Sequence, residues 1–281
     1  MGLWFLRYFA SRSDIEDVLA YDIDIESLKE SMSKENYPKD IYVCKNIKEC
    51  VRTADLVVIC VPVQATAKVI RSCAASMKPG STIAEISSIK KDSFKALRNV
   101  PKNIKPLCIH PMFGPGATRK ANMKVLLVPV RNRDLEAKAA SWIFEDISVR
   151  SISFREHDRY MGLILGLNYF INIIFTEVIS DENISLLKEI SGTTFRVQSL
   201  LSESVLTDEP ELVTALITEN PYARQFIQTY IKRSSFMLSV IKSKDTVSLK
   251  KKLLELRSKV EKHQDIHLSY RKMYELIEKQ C

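Results

Sequence analysis

One of the four histidines in this 281-residue chain, His110, stands in the run His110-Pro111-Met112-Phe113-Gly114-Pro115. Imidazole is the side chain best matched to accepting a proton near neutral pH. The run follows an apolar, strand-like stretch, Pro106-Leu107-Cys108-Ile109, and ends in turn formers. A histidine leaving a strand into a Pro/Gly loop occupies the carboxyl-end rim where open α/β sheets bind their ligands. On spacing alone, a histidine that merely caps a strand fits as well. Ser87 and Ser88 follow another strand-like stretch, residues 82–86, so their hydroxyls belong to the same rim. A serine there can orient an imidazole or bridge it to a substrate hydroxyl; the alternative is N-capping of a helix over residues 90–97.

A second set of residues suits a dinucleotide. Gly2 opens a helical pattern over residues 3–11, and Asp22 follows a short strand, Val18-Leu19-Ala20-Tyr21. In a dinucleotide fold the last loop glycine opens the first helix, whose N-terminus receives the pyrophosphate, and an acidic residue about 20 positions on binds the ribose hydroxyls. Gly2 with Leu3, and Asp22, fit those places. A carboxylate at Asp22 favours NAD over NADP, because it repels a 2′-phosphate. An aspartate that only makes a turn after its strand is the plain alternative. The strand at residues 56–61 stops at Pro62, which puts Val61 and Pro62 beside the nicotinamide ribose, and Ser87 on the same rim is expected at the cofactor too. No zinc-type spacing occurs, and no metal is expected.

The elements that must position these residues alternate through the first half. Continuous apolar runs at 56–61, 82–86 and 124–130, separated by helical spacing at 25–32 and 64–77, predict strands buried on both faces. The fold class is α/β, a doubly wound, Rossmann-like parallel sheet over residues 1–152. From 153 to 281 the pattern is all-helical, with helices expected at 156–179, 183–190, 194–206, 209–218, 222–241 and 246–279. The first of these is apolar nearly all round, which predicts burial on both sides and a homodimer formed through the helical domain. Its apolar run, 161–175, is interrupted by Asn168 and Asn172 and is expected to be too short and too polar for a membrane span.

Composition narrows the class further. Hydrophobic content of 46% and charged content of 27% describe a globular protein. The net charge of +8 owes much to lysines such as Lys250-Lys251-Lys252, which read as a solvated helix face. Without an aromatic-interleaved basic stripe, nucleic-acid binding is not expected. The six cysteines, at 44, 50, 60, 73, 108 and 281, form no CxxC pair, which predicts reduced thiols and a cytoplasmic protein. Residues 1–10 are too short for a secretory leader.

The order Val58-Ile59-Cys60-Val61-Pro62-Val63, Ile86-Ser87-Ser88-Ile89-Lys90-Lys91, the His110 run, then Glu156-His157-Asp158 opening an apolar helix, resembles the prephenate dehydrogenases. Asp208-Glu209-Pro210-Glu211-Leu212 extends the resemblance into the helical half. It implies a dinucleotide domain joined to a helical dimerisation domain, and oxidative decarboxylation of prephenate to 4-hydroxyphenylpyruvate with hydride transfer to NAD, on the route to tyrosine. His110 then accepts the proton of the ring hydroxyl and Ser88 orients it. Arogenate is the alternative substrate, and a catalytically impaired paralogue serving as a dimeric binding or regulatory protein is the alternative role.

The chain departs from the family in three places. The first strand and the first two loop glycines are missing, as a start assigned too far downstream would produce. Only part of the pyrophosphate cradle then remains, so weak or absent NAD binding is expected. A family histidine is matched by Tyr169, next to Asn168. The family's carboxylate-binding arginine is matched by Ser204, which leaves Arg196 or Arg224 as the cation for a substrate carboxylate. Tyr169, Asn168, Ser204 and Arg196 are therefore the expected substrate residues, and His157 and Asp158 are expected only to anchor the linker helix.

Overall fold

A computed structural model describes residues 1–118 and 123–278. It divides into one compact unit, Met1–Tyr160, and a second that starts at Met161. The expected boundary at 152/153 falls eight residues earlier, because the first turns of the linker helix are bound into the first unit through side chains described below.

In the first unit, helix α1 (Gly2–Ala10) is followed by β1 (Val18–Ala20), α2 (Ile25–Ser33), β2 (Ile41–Val43), α3 (Ile47–Arg52), β3 (Leu56–Ile59), α4 (Val63–Ala74), β4 (Thr82–Glu85) and α5 (Lys91–Arg98). Then come β5 (Lys105–Pro111), β6 (Lys124–Leu127), α6 (Arg133–Ile143) and β7 (Ser148–Ser151). Helix starts are set by short polar side chains: Asp24 accepts the Ser27 N–H at 3.0 Å, and Asn46 accepts the Glu49 N–H at 3.0 Å.

The strands form two groups, β1-β2 and β3-β4-β5-β6-β7. Among the described residues no ladder joins β1 to β3, and the doubly wound order is interrupted there. Pairing is parallel except between β5 and β6, which are antiparallel with His110 opposite Leu126. The expected all-parallel sheet is therefore mixed. The described part of the β5–β6 link is irregular and supplies no crossover helix, which a parallel connection needs.

Strand β5 lies at the centre of the core. Leu107 and Ile109 pack with Trp4 and Phe5 of α1 and Ile143 of α6, whereas Cys108 packs with Ile70 of α4 and Leu97 of α5. Alternate side chains thus feed cores on opposite faces of the sheet, which is why the run reads as continuously apolar.

The second unit is helical. The helix spanning Phe154–Ser180 contains α7 (Phe154–Met161), a π-helical stretch (Gly162–Leu167) and α8 (Asn168–Ser180). After it come α9 (Ile184–Ile190), α10 (Thr193–Leu206), α11 (Pro210–Thr218), α12 (Ala223–Lys242), α13 (Thr246–Glu261) and α14 (Ser269–Glu278). The single helix expected over 246–279 is two helices, and its last residue lies outside the described residues.

Burial on both sides, expected for the first helix of this unit, is not found within one chain: only 17% of its most apolar window is buried, and Ile174 and Val178 are exposed. The helix has 27 residues and its most apolar 18-residue window has mean hydropathy 1.7, so by length and composition alone it could cross a membrane, which the shorter run did not suggest.

The π-helical stretch is held by close backbone approach. A Cβ added at Gly166 would lie 2.6 Å from the Ala223 Cβ on α12, whereas one added at Gly192 meets nothing within 4 Å. Gly166→Ala is expected to destabilise the protein by about 1–3 kcal/mol, and Gly192→Ala to leave it nearly unchanged. Thermal unfolding of the two variants checks the contrast, and equal Tm values would contradict it.

Candidate active site

The site grows from a charge pair under the sheet. Glu85 ends β4, pairs with Cys108 on β5, and has no solvent exposure; neither has Lys90. The Lys90 Nζ donates to Glu85 Oε1 at 2.7 Å and to the Ile109 carbonyl at 2.6 Å. The Cys108 thiol donates to the same carboxylate oxygen at 2.9 Å. Burial pushes that thiol well above its usual pKa and the Glu85 charge adds to the effect, so it stays a donor. The other oxygen accepts the Ser87 backbone N–H at 2.9 Å and the Ser87 hydroxyl at 2.6 Å. A carboxylate removed from water needs such partners on both oxygens.

His110 is the next-to-last residue of β5 and is buried. It lies within the strand, not in the loop beyond it, because β6 extends the ladder past Ile109. Its Nδ1 is 3.0 Å from Nε2 of His157, whose Nδ1 is 2.8 Å from Asp158 Oδ1. The same Asp158 oxygen accepts the backbone N–H of Lys90 at 2.9 Å. His157 and Asp158 are buried on the first turns of α7. That helix starts with a reciprocal cap: the Ser153 hydroxyl donates to Glu156 at 2.6 Å and accepts the Glu156 N–H at 3.3 Å. Phe154 stacks on Phe94 of α5 at 4.8 Å and fixes the entry of α7 further.

The electrostatics keep both rings neutral. Burial holds the His110 pKa well below the ordinary histidine value, with His157 and the Lys90 cation adding to it. Burial also lowers His157, although the Asp158 hydrogen bond pulls the other way. A neutral, buried imidazole at a strand end is chemically a proton acceptor.

Several expected roles change. His157 and Asp158 do more than anchor a helix: His157 contacts the His110 ring directly, and Asp158 contacts it through His157. Ser88 is half-buried and makes no hydrogen bond to His110; the partner of the ring is His157 instead. Ser87, expected at the cofactor, is turned inward onto Glu85. Neither serine caps α5, whose first residue is preceded by Lys90 without a side-chain cap. The adjacent His-Asp pair in a chain with four histidines was the signal for the His110 partner; Glu85 and Lys90 gave none.

The residues expected at the cofactor occupy three element ends of the first unit. Gly2 and Leu3 open α1, whose N-terminus has no side-chain cap and no acidic residue in its first turn. Its free N–H groups and positive dipole end suit a phosphate. A Cβ at Gly2 would meet only the Cys60 Cβ at 3.8 Å, an ordinary contact. Asp22 is exposed beyond β1, and its carboxylate accepts the Asp24 N–H at 3.0 Å. Val61 and the exposed Pro62 link β3 to α4. These residues fit a dinucleotide: a helix end for pyrophosphate, a carboxylate for a ribose diol and an apolar edge. Among the described residues no group of three or more metal-ligating side chains occurs.

In the second unit, the Tyr169 hydroxyl donates to Asp208, and burial with that carboxylate raises its pKa. Asn168 is exposed, and its side-chain oxygen accepts from Asn172 at 3.2 Å. Ser204 is exposed, and its hydroxyl donates to the Leu201 carbonyl of its own helix at 2.7 Å. Arg196 is exposed on α10 and makes no ion pair among the described residues. Asp208, the partner of Tyr169, lies 39 positions away in the Asp208–Leu212 motif, and nothing in the local sequence signals the contact.

Residues 12–152 match the nucleotide-binding domain of prephenate dehydrogenase, and residues 153–255 match its dimerization domain. A curated relative from Methanocaldococcus jannaschii, "Probable arogenate/prephenate dehydrogenase", is 25% identical over 254 residues, 87% of this chain and 55% of that protein. The chain thus spans about half the length of that relative. Prephenate dehydrogenase from Aquifex aeolicus, solved with hydroxyphenyl propionate and NAD+, superposes with a TM-score of 0.71 at 17% identity, covering 93% of this chain and 94% of that one. Synechocystis arogenate dehydrogenase gives 0.68 at 15% identity, covering 94% and 96%. With both domains of one family matched in order from residue 12 to residue 255, the chain belongs to the prephenate dehydrogenase family.

Proposed function

We propose that the protein is an NAD-dependent dehydrogenase that oxidatively decarboxylates prephenate to 4-hydroxyphenylpyruvate, with arogenate as the alternative substrate. The observation that carries this reading is the buried, neutral His110 at the end of β5, one strand from the Glu85–Lys90 pair. NAD supplies the nicotinamide that accepts a hydride. His110 takes the proton of the ring hydroxyl, the oxygen's electrons expel the hydride from the same carbon, and loss of carboxylate as carbon dioxide leaves an aromatic ring. Gly2, Leu3, Val61, Pro62 and Asp22 hold the dinucleotide. Arg196 is the cation for a substrate carboxylate, being exposed and uncompensated, while Tyr169, Asn168 and Ser204 offer hydrogen bonds.

The exposed apolar face at Ile174 and Val178, in a domain matched to a dimerization domain, supports a homodimer. Free thiols at Cys44, Cys50, Cys60, Cys73 and Cys108 suit the cytoplasm; Cys281 lies outside the described residues. One observation favours a dimeric binding or regulatory role instead: Ser204, at the place of the family arginine, is bonded to its own helix.

NADH formation from prephenate and from arogenate, each with NAD, tests the reading and chooses the substrate. His110→Ala is expected to lower kcat by about 10²–10⁴; unchanged turnover would refute the base assignment. No NADH from either substrate favours the binding role.

Asp22→Ala is expected to raise KM for NAD about tenfold or more, as loss of a charge-assisted hydrogen bond predicts. It should also relax the discrimination against NADP. Cofactor kinetics of the variant measure both, and an unchanged NAD/NADP ratio would return Asp22 to a turn residue.

A further inference from the structure

We infer that His157 and Asp158 are positioning residues for His110: they hold its ring with the proton on Nδ1 and the lone pair on Nε2, and they receive the positive charge that forms when it accepts a proton. This rests on the reading of His110 as the base, and it names the atom that does the accepting.

The hydrogen-bond directions follow from one end of the chain of contacts. A carboxylate has only acceptors. Asp158 Oδ1 already accepts the Lys90 N–H at 2.9 Å, so its 2.8 Å contact with His157 has the His157 Nδ1–H as donor. His157 is fully buried and kept neutral, which leaves a lone pair on its Nε2. The 3.0 Å contact to His110 Nδ1 therefore needs a proton on the His110 side, or two lone pairs would face each other. A neutral His110 with its proton on Nδ1 carries its free lone pair on Nε2.

Proton uptake is also balanced by this arrangement. When Nε2 takes a proton, the Nδ1–H already points at His157 Nε2. The charge can then move one ring further, onto an imidazolium that donates to the Asp158 carboxylate. The remaining charged and titratable neighbours are the Lys90 ammonium, the Glu85 carboxylate that neutralises it at 2.7 Å, and the Cys108 thiol that donates to Glu85. The Lys90 cation opposes charging of both rings at rest, the Glu85 carboxylate offsets it at His157, and none of the three consumes the His110 lone pair. A pair that only anchored α7 to the sheet would have no need of a second ring aligned on the base.

Long-range proton–nitrogen correlation spectra of the full chain labelled with [15N]histidine read the tautomers directly. The exposed His263 and His267 serve as internal references. In the wild type both buried rings should be single Nδ1–H tautomers at neutral pH. His157→Leu should release His110 to a tautomer mixture and lower kcat at least about tenfold, with KM changed by less than about twofold. His157→Gln offers a side-chain oxygen to the same N–H, and should restore the Nδ1–H form and most of kcat. A wild-type His110 protonated on Nε2 overturns the inference. So does a His157→Leu protein, folded by circular dichroism, that keeps both its tautomer and its kcat. Should His157→Leu not fold, the wild-type and His157→Gln spectra decide. The tautomers are read without substrate, so the inference and the dehydrogenase reading can fail separately.

Discussion

The Lys90–Glu85 ion pair, with both side chains at 0% exposure, is the interaction on which the rest of the site depends. Removing two charges from water costs several kcal/mol each unless every donor and acceptor is met. Lys90 meets its own by reaching across to the Ile109 carbonyl, the residue before His110, and its backbone N–H holds Asp158 on α7. One lysine thereby ties the end of β4, the end of β5 and the start of α7 together. The place of His110 follows from that tie, and its neutral state from burial first, with the Lys90 cation adding to it. Losing either partner of the pair leaves the other buried and uncompensated, the costliest kind of single change in such a core.

The sequence made the strands and the histidine motif legible because β5 is buried on both faces and so reads as an unbroken apolar run. It hid the support of the histidine for physical reasons. Glu85 looks like the polar end of a strand, and Lys90 like a solvated residue at a helix start. Their partners are remote: 68 positions separate Lys90 from Asp158, and 47 separate His110 from His157. Local periodicity carries no such information. Short elements such as Ile41–Val43 and Ser148–Ser151 are three and four residues long, too brief to show a period. The π-helical stretch is masked by a segment apolar all round. Ser87 shows the opposite error, in which a rim position in sequence is an inward-facing hydroxyl in the fold.

The helical unit is where this chain differs most from what its family resemblance implies. Tyr169 is committed to Asp208 and Ser204 to its own helix, so neither offers the fixed charge that a guanidinium brings to a carboxylate. Arg196 retains that capacity. The first unit conserves the opposite property, a base whose surroundings are fully built before any ligand arrives. Under the proposed function, proton acceptance is thus preorganised by packing, whereas recognition of a substrate carboxylate would fall to exposed side chains that are free to adapt.

The most direct test of the central claim is the pH dependence of kcat/KM for NADH formation with the substrate that turns over. His110 must be neutral to act, and burial holds its pKa well below the ordinary 6.5. Lowering the pH through 6.5 should therefore leave kcat/KM flat, with the acid limb appearing only well below that value. An acid limb at or above 6.5 would show a solvated, ordinarily titrating base and would contradict the account.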